Sequence, residues 1–170
     1  PPSSVETEMS VLGSILIDND ALLAVTDFLR PEHFYESKNA KVYKAMLSLF
    51  ENRNPIDIIT VAEKLKEMKE LKNIGGKTFL VKLANEVPTA ANVASYGKII
   101  KALAAKRDLI SAAARITEKA FDESLPSEQL LDLAEQEIFS LSQRHIKNTP
   151  VSLKEVLTAS FDRLDELQKL

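Results

Sequence analysis

Gly76-Lys77-Thr78 is the triplet in this chain with the residue types to hold a phosphate. The full phosphate loop reads G-x-x-x-x-G-K-S/T and joins a buried strand to a helix. Its first glycine would fall on residue 71, which is Leu71. The segment before it, EKLKEMKELKN, is charged helix and not an apolar strand. Motif and setting both fail, so Gly75-Gly76 reads as a tight turn that opens a helix, with Phe79, Leu80 and Leu83 facing a core. The other chemistry-bearing residues do not assemble either. His33 and His145 lack the i, i+4 spacing of a helical metal pair. His33, beside Phe34 in a turn, reads as a packing or capping residue. Asp18 and Asp20 resemble the start of a calcium loop, but the glycine and late glutamate such a loop needs are misplaced. Glu135 and Glu137 lie two apart and do not converge, and Glu6 has Ser10 one turn on. No G-x-S-x-G nucleophile motif is present. The expectation is a chain with no catalytic residues, no metal site and no cofactor of its own.

Composition agrees. The chain has 170 residues, 45% of them apolar, with 22 Lys plus Arg against 25 Asp plus Glu for a net charge of −3. A nucleic-acid-binding domain ordinarily carries the opposite balance. Lys98, Lys101, Lys106 and Arg107 cluster locally and read as the wet face of one long helix. Tyr35, Tyr43 and Tyr96 are not interleaved with basic residues as a base-stacking platform would be. There is no cysteine, so disulfides and zinc–thiolate sites are excluded. No secretory signal opens the chain, and no apolar run approaches the length that spans a bilayer. The opening Pro-Pro-Ser-Ser and the helical last residues read as cut ends of something larger.

The elements that must carry any function read as all-α. Residues 1–97 form a compact helical bundle in this reading, 98–145 a long antiparallel helical hairpin, and 146–170 a linker helix. The first helix places Val5, Met9, Leu12, Ile15 and Leu16 on one face, with Gly13 suited to a close crossing. A second covers residues 20–29. A third carries Val42, Tyr43, Met46, Leu47 and Phe50. Thr60 and Glu63 have capping-box spacing, and Ile56–Ile59 could add one extended segment. Residues 93–121 run without proline, Asp122 to Pro126 breaks them, and Ser127 can cap the return arm.

The hairpin has more apolar surface than one partner can cover. Leu103, Ile110, Ala114, Thr117 and Phe121 make one stripe; Leu109, Ala113, Ile116 and Ala120 make its neighbour. The return arm has Leu130, Leu131, Leu133, Ala134, Ile138 and Leu141. Such an arc implies self-association, with Leu103, Leu109, Ile110, Ala113, Ile116, Leu133 and Ile138 as its candidates. After a polar connector, Ser152 and Glu155 have capping-box spacing. The last helix then carries Leu153, Val156, Leu157, Phe161, Leu164 and Leu167 as an amphipathic stripe with no place in the bundle.

Five segments together resemble the amino-terminal portion of bacterial replicative DNA helicases of the DnaB type: VETEMSVLGSILID, DFLRPEHFY, NPIDIITVAEKL, IGGKTFLVKLANEVPTAANVASYGKII and LKEVLTASFDRLDEL. One departure stands at Asn39, where that family commonly has histidine; as a helix-start position it implies a small local change. The resemblance implies a non-catalytic assembly and regulatory domain. Its hairpins would dimerise, and three dimers would form the collar of a hexamer that binds a DnaG-type primase or a helicase loader. It implies partner contacts at Glu6, Phe79, Ile110 and Ile116. It also implies that Leu153, Val156, Leu157, Phe161 and Leu164 dock on a neighbouring motor domain. ATP and Mg would belong to that motor domain, outside this chain. The implied location is cytoplasmic, at the replisome on the nucleoid, with no membrane contact and weak or absent contact with DNA. A direct single-stranded-DNA-binding module is the alternative.

Overall fold

The computed structural model describes residues 1–86, 92–146 and 153–169, with side chains at all of these except 153–156. Regular structure among them is helical: α1 (Val5–Ile17), α2 (Asp20–Leu23), a 3-10 turn (Pro31–His33), α3 (Ser37–Glu51), α4 (Ile58–Glu67), α5 (Gly76–Asn85), α6 (Val93–Ala120), α7 (Ser127–Ile146) and α8 (Leu153–Gln168). The core is formed by α1 to α5, the turns after α2 and the first half of α6.

Helix α1 is the hub. Ser4 caps it, its hydroxyl accepting from Thr7 N at 3.3 Å, and Glu6 and Glu8 complement the positive end of the helix dipole. It packs on α3, α5 and α6, so its buried face is wider than a single stripe. Val11, Leu12, Gly13, Ser14 and Ile15 are buried, whereas Val5, Met9 and Leu16 are half-covered.

Three local readings shift. The helix expected over residues 20–29 stops at Leu23, and turns continue to Phe28, with Val25 and Leu29 fully buried. β-branched Val25 and Thr26 favour helix weakly, and Val25 sits where α6 comes closest. A Cβ on Gly97 would lie 2.8 Å from Val25 Cγ1 and 3.1 Å from Phe28 Cζ, so only glycine lets α6 approach. The α3 stripe is rotated: Val42, Tyr43, Ala45, Met46 and Leu49 are buried while Phe50 faces solvent. Tyr43 fixes that register, its hydroxyl donating to Leu29 O at 2.9 Å. Finally, no strand forms at Ile56–Ile59, because α4 begins at Ile58. Its capping box is Asp57–Thr60, one turn earlier than Thr60–Glu63: Asp57 Oδ1 accepts from Thr60 N at 2.8 Å and Thr60 Oγ1 from Asp57 N at 2.9 Å.

The glycine pair opens α5 as expected. Gly75 has φ +103 and Gly76 φ +70, the left-handed region that side chains disfavour. Phe79, Leu80 and Leu83 enter the core; Lys77 and Thr78 are exposed first-turn residues. Asp18 serves a turn, its Oδ1 accepting from Asp20 N at 3.0 Å.

Helix α6 runs unbroken through residue 97, in line with the proline-free run expected over residues 93–121. Ile100 and Ala104 are still buried, and the arm leaves the bundle only beyond them. It then packs on α7. Asp108, Ala112 and Arg115 share one face of α6 (i, i+4, i+7). Asp108 and Arg115 both bond to α7, so fully buried Ala112 is the small residue that lets the arms close. The proposed capping pair Ser152 and Glu155 lies outside the described side chains.

Candidate functional site

The hairpin leaves a broad apolar face uncovered. On α6, Leu109 is 48% and Ile110 55% exposed, with Phe121 at its C-cap 82% exposed; on α7, Leu131 is 64%, Ile138 45% and Phe139 64% exposed. No residue of α7 is fully buried. Helix α7 thus meets its own chain along one side and offers the rest to solvent. Phe139 belongs to this face although the sequence reading passed over it. Of the other self-association candidates, Leu103, Ile116 and Leu133 are half-covered and Ala113 is exposed. The arms are cross-braced by Arg115, whose Nε and Nη2 donate to Glu137 Oε1 and Oε2 at 3.1 and 2.9 Å. That bond holds the partly exposed Glu137 carboxyl below its usual range and turns it toward α6, away from Glu135. An exposed apolar face spread over two helices is the kind of surface that proteins bury against a partner.

At the base of the hairpin lies a polar junction that the sequence did not disclose. Arg107 is not a wet-face cation. Its Nη1 donates to Pro2 O and its Nη2 to His33 O, both at 2.8 Å, and its guanidinium lies 5.4 Å from the Tyr35 ring centroid. His145 Nε2 and Asp108 Oδ2 are 2.7 Å apart, and the His33 and His145 rings face each other at 6.0 Å. Histidines without metal-pair spacing are thus brought together by topology. Among the described residues no three His, Cys, Asp or Glu side chains converge on a metal position.

His33 is a cap: its Nδ1 accepts from Arg30 N at 2.9 Å. Burial pushes its imidazole down from 6.5 to about 4, with Glu32 opposing and His145 and Lys101 assisting. A histidine depressed by burial stabilises the fold fully above its unfolded pKa and loses that contribution as pH falls toward the folded value. Unfolding free energy should therefore drop by about 2 kcal/mol between about pH 7 and about pH 5. Urea melts at both pH values measure it. An equal drop in a His33→Asn variant, whose amide oxygen can keep the cap, would assign the effect elsewhere.

The other candidates are dispersed. Glu6 is exposed in the first turn of α1, whereas Phe79 is a core residue with Lys38 Nζ 4.6 Å from its ring centroid. On α8, Leu157, Phe161 and Leu164 are exposed at 47, 64 and 55%; the side chains of Leu153 and Val156 lie outside those described. Glu8 went unnoticed in the sequence and holds the most elaborate polar contact of the bundle. Its carboxylate is 1% exposed and accepts from Tyr35 N at 2.8 Å, Glu36 N at 3.2 Å and Asn39 Nδ2 at 3.1 Å. Asn39 is itself fully buried, with Oδ1 unpaired, and so is more than a helix-start residue.

Comparison with known proteins places this geometry. A family model described as the DnaB-like helicase N terminal domain matches residues 1–102. The replicative DNA helicase DnaB of Geobacillus stearothermophilus is 35% identical over 167 residues, covering 98% of this chain and 37% of that protein. The chain therefore spans little more than a third of that relative's length. The crystal structure of the N-terminal domain of DnaB helicase from Mycobacterium tuberculosis superposes with a TM-score of 0.78 at 35% identity, over 83% of this chain and 99% of that one. A DnaB-like replicative helicase, described with its interactions with primase, shares the fold at a TM-score of 0.73 and 23% identity, over 96% of this chain and 36% of that one.

Proposed function

Because this chain belongs to the DnaB-like helicase N-terminal domain family, we propose that it is the non-catalytic assembly and regulatory part of a hexameric replicative DNA helicase. The carrying observation is the exposed apolar face of the hairpin, which no element of the same chain covers among the described residues. In this reading two hairpins pair through that face and three pairs make a collar. Nucleotide hydrolysis belongs to a motor domain in the part of the relatives that this chain does not match. The apolar stripe of α8 is the docking arm for a neighbouring motor domain. Primase or a loader binds the surface of the bundle at α1 and α5, where Glu6 is exposed and Phe79 supports the core, while Ile110 and Ile116 serve the seam between hairpins. The location is the cytoplasmic replisome; no described helix is long and apolar enough to cross a membrane.

One observation favours the second reading, a direct contact with single-stranded DNA. Lys66, Lys69, Lys72 and Lys77 line one depression between α4 and α5, together with the carboxylate of Glu63. The nearby Glu67 and Glu70 are paired with Lys64 and Lys41. No aromatic residue lines the depression, so it would hold phosphates and stack no bases. Two measurements separate the readings. Light scattering on the isolated chain, with and without a primase, should give a self-associated mass that rises when primase is added. Fluorescence titration with single-stranded DNA should give weak binding; tight binding that falls steeply with salt, by a chain that stays monomeric, would replace the assembly reading with the DNA-binding one.

A further inference from the structure

Positive charge is segregated in this chain. Residues 37–78, from the start of α3 to the first turn of α5, carry nine Lys plus Arg against five Asp plus Glu; the remainder carries 13 against 20. The excess gathers at two depressions that flank the end of α4. One lies between α3 and α4 and is lined by Lys41, Lys44, Lys64, Met68 and Glu70. The other is the lysine-lined depression between α4 and α5. Lys41 and Lys64 are spent on Glu70 and Glu67. Lys44, Lys66, Lys69, Lys72 and Lys77 are exposed and have no acidic partner among the described residues.

Two of these lysines stand where local physics favours another residue. Lys69 has φ +61, the left-handed conformation that glycine ordinarily supplies just past a helix. It closes α4, its N–H donating to Lys66 O at 3.0 Å while Glu70 N donates to Leu65 O at 2.8 Å. The negative end of α4 returns only part of that conformational cost. Lys77 lies in the first turn of α5, where the helix dipole disfavours a cation, and no acid shares that turn. Between the lysines, Met68 and Leu71 pack half-buried against the core and give each depression an apolar lining.

We propose that the α3–α4–α5 side of the bundle is a docking surface for an acidic, partly apolar segment of a partner protein. Its carboxylates meet Lys66, Lys69, Lys72 and Lys77, and its apolar side chains cover Met68 and Leu71. A phosphate backbone fits less well. Glu63 stands in one depression and Glu70 in the other, and no arginine or aromatic side chain lines either. The acidic remainder of the chain also repels a long polyanion. A short peptide can step around the two carboxylates and use the apolar lining, which phosphates cannot. The docking is independent of any pairing of hairpins.

The probe is a fluorescein-labelled peptide of about 12 residues, rich in Asp and Glu, with a pair of leucines one helical turn apart. Its binding to the full chain is read by fluorescence anisotropy. Affinity should fall with salt and drop about 10-fold in Lys66→Gln/Lys72→Gln, whose side chains are exposed and whose fold circular dichroism verifies. Replacing the peptide's leucines with glutamine should cost about 10-fold as well. Lys69→Gly should melt at a higher temperature than the parent yet bind about 3-fold more weakly, because it relieves the backbone and removes a cation. Ile110→Asp, on the hairpin, should bind the peptide as the parent does. Unchanged binding by the Lys66→Gln/Lys72→Gln chain overturns the proposal. So does tighter binding of an oligothymidylate of equal charge, which would make the surface a nucleic-acid track. A lower light-scattering mass for the double lysine variant also overturns it, because the surface would then be an interface between copies of this chain.

Discussion

Replacing Glu8 with alanine should lower the unfolding free energy by about 2–4 kcal/mol. The sign needs argument, because a buried carboxylate also carries a desolvation cost, and apolar replacement of buried charged groups is sometimes neutral. Here two of its three donors are the backbone amides of Tyr35 and Glu36, 27 and 28 residues away. No side-chain substitution removes them. Alanine leaves both amides and the buried Asn39 Nδ2 without their acceptor, and empties the space of a side chain that is 1% exposed. The cost stays below that of three fully buried losses because the two amides are only partly buried and water can reach them. Glu8→Gln should cost about 1–2 kcal/mol, since either amide orientation turns an NH2 toward a donor. The coupling to Asn39 should appear in a double-mutant cycle as less-than-additive loss. Urea melts of the three variants are the measurement. A Glu8→Ala chain as stable as the parent would mean that the link between α1 and the start of α3 is incidental.

That link also shows where sequence reading stops. Periodicity and breakers encode what neighbours in sequence do. Hence the proline-free run of α6, the break at Asp122–Pro126 and the Gly75–Gly76 turn into α5 were legible, together with the inward Phe79, Leu80 and Leu83. The all-α class followed from the same signals. Glu8 looks like an ordinary first-turn acid, and only the tertiary path from α1 to Tyr35 makes it a buried acceptor. Asn39 was legible as a departure but not as buried. His33 and His145 are separated by most of the chain, and their meeting is a property of where α7 ends. Gly97 carries no local turn signal; its reason is the approach of Val25 and Phe28. Where stripes were placed a residue or two off, as at Phe50, the missing information was how many neighbours a helix has. The hairpin face was legible as an excess of apolar residues, yet which of them remain open required the second arm. Ile116 is half-covered by its own chain, while Ile110 and Ile138 are exposed.

That distinction selects the second large effect. Ile110→Asp should weaken self-association about 100-fold or more while leaving the folded chain intact. Ile110 is 55% exposed and Ile138 45% exposed in the single chain, so a charge at either position stays hydrated in the monomer and costs little there. In a pair of hairpins the same carboxylate would have to leave water without a partner. The lost apolar burial alone is about 1.5–3 kcal/mol, and each 1.4 kcal/mol is a factor of ten in the dissociation constant. Ile116→Asp is the poorer probe, because its side chain is already half-buried and a lower mass could then reflect a damaged fold. Ile59→Asp supplies the control. Ile59 is 65% exposed on α4, which packs on α3 and α5 away from the hairpin. It makes the same chemical change away from the seam and should leave the mass unchanged. Light scattering across a concentration series, with circular dichroism to verify folding, distinguishes the outcomes. If Ile110→Asp and Ile138→Asp keep the parental mass, the hairpin face is not the seam between subunits. The apolar excess on α6 and α7 would then have to be covered by a different protein, and primase becomes the first candidate to test on the same variants.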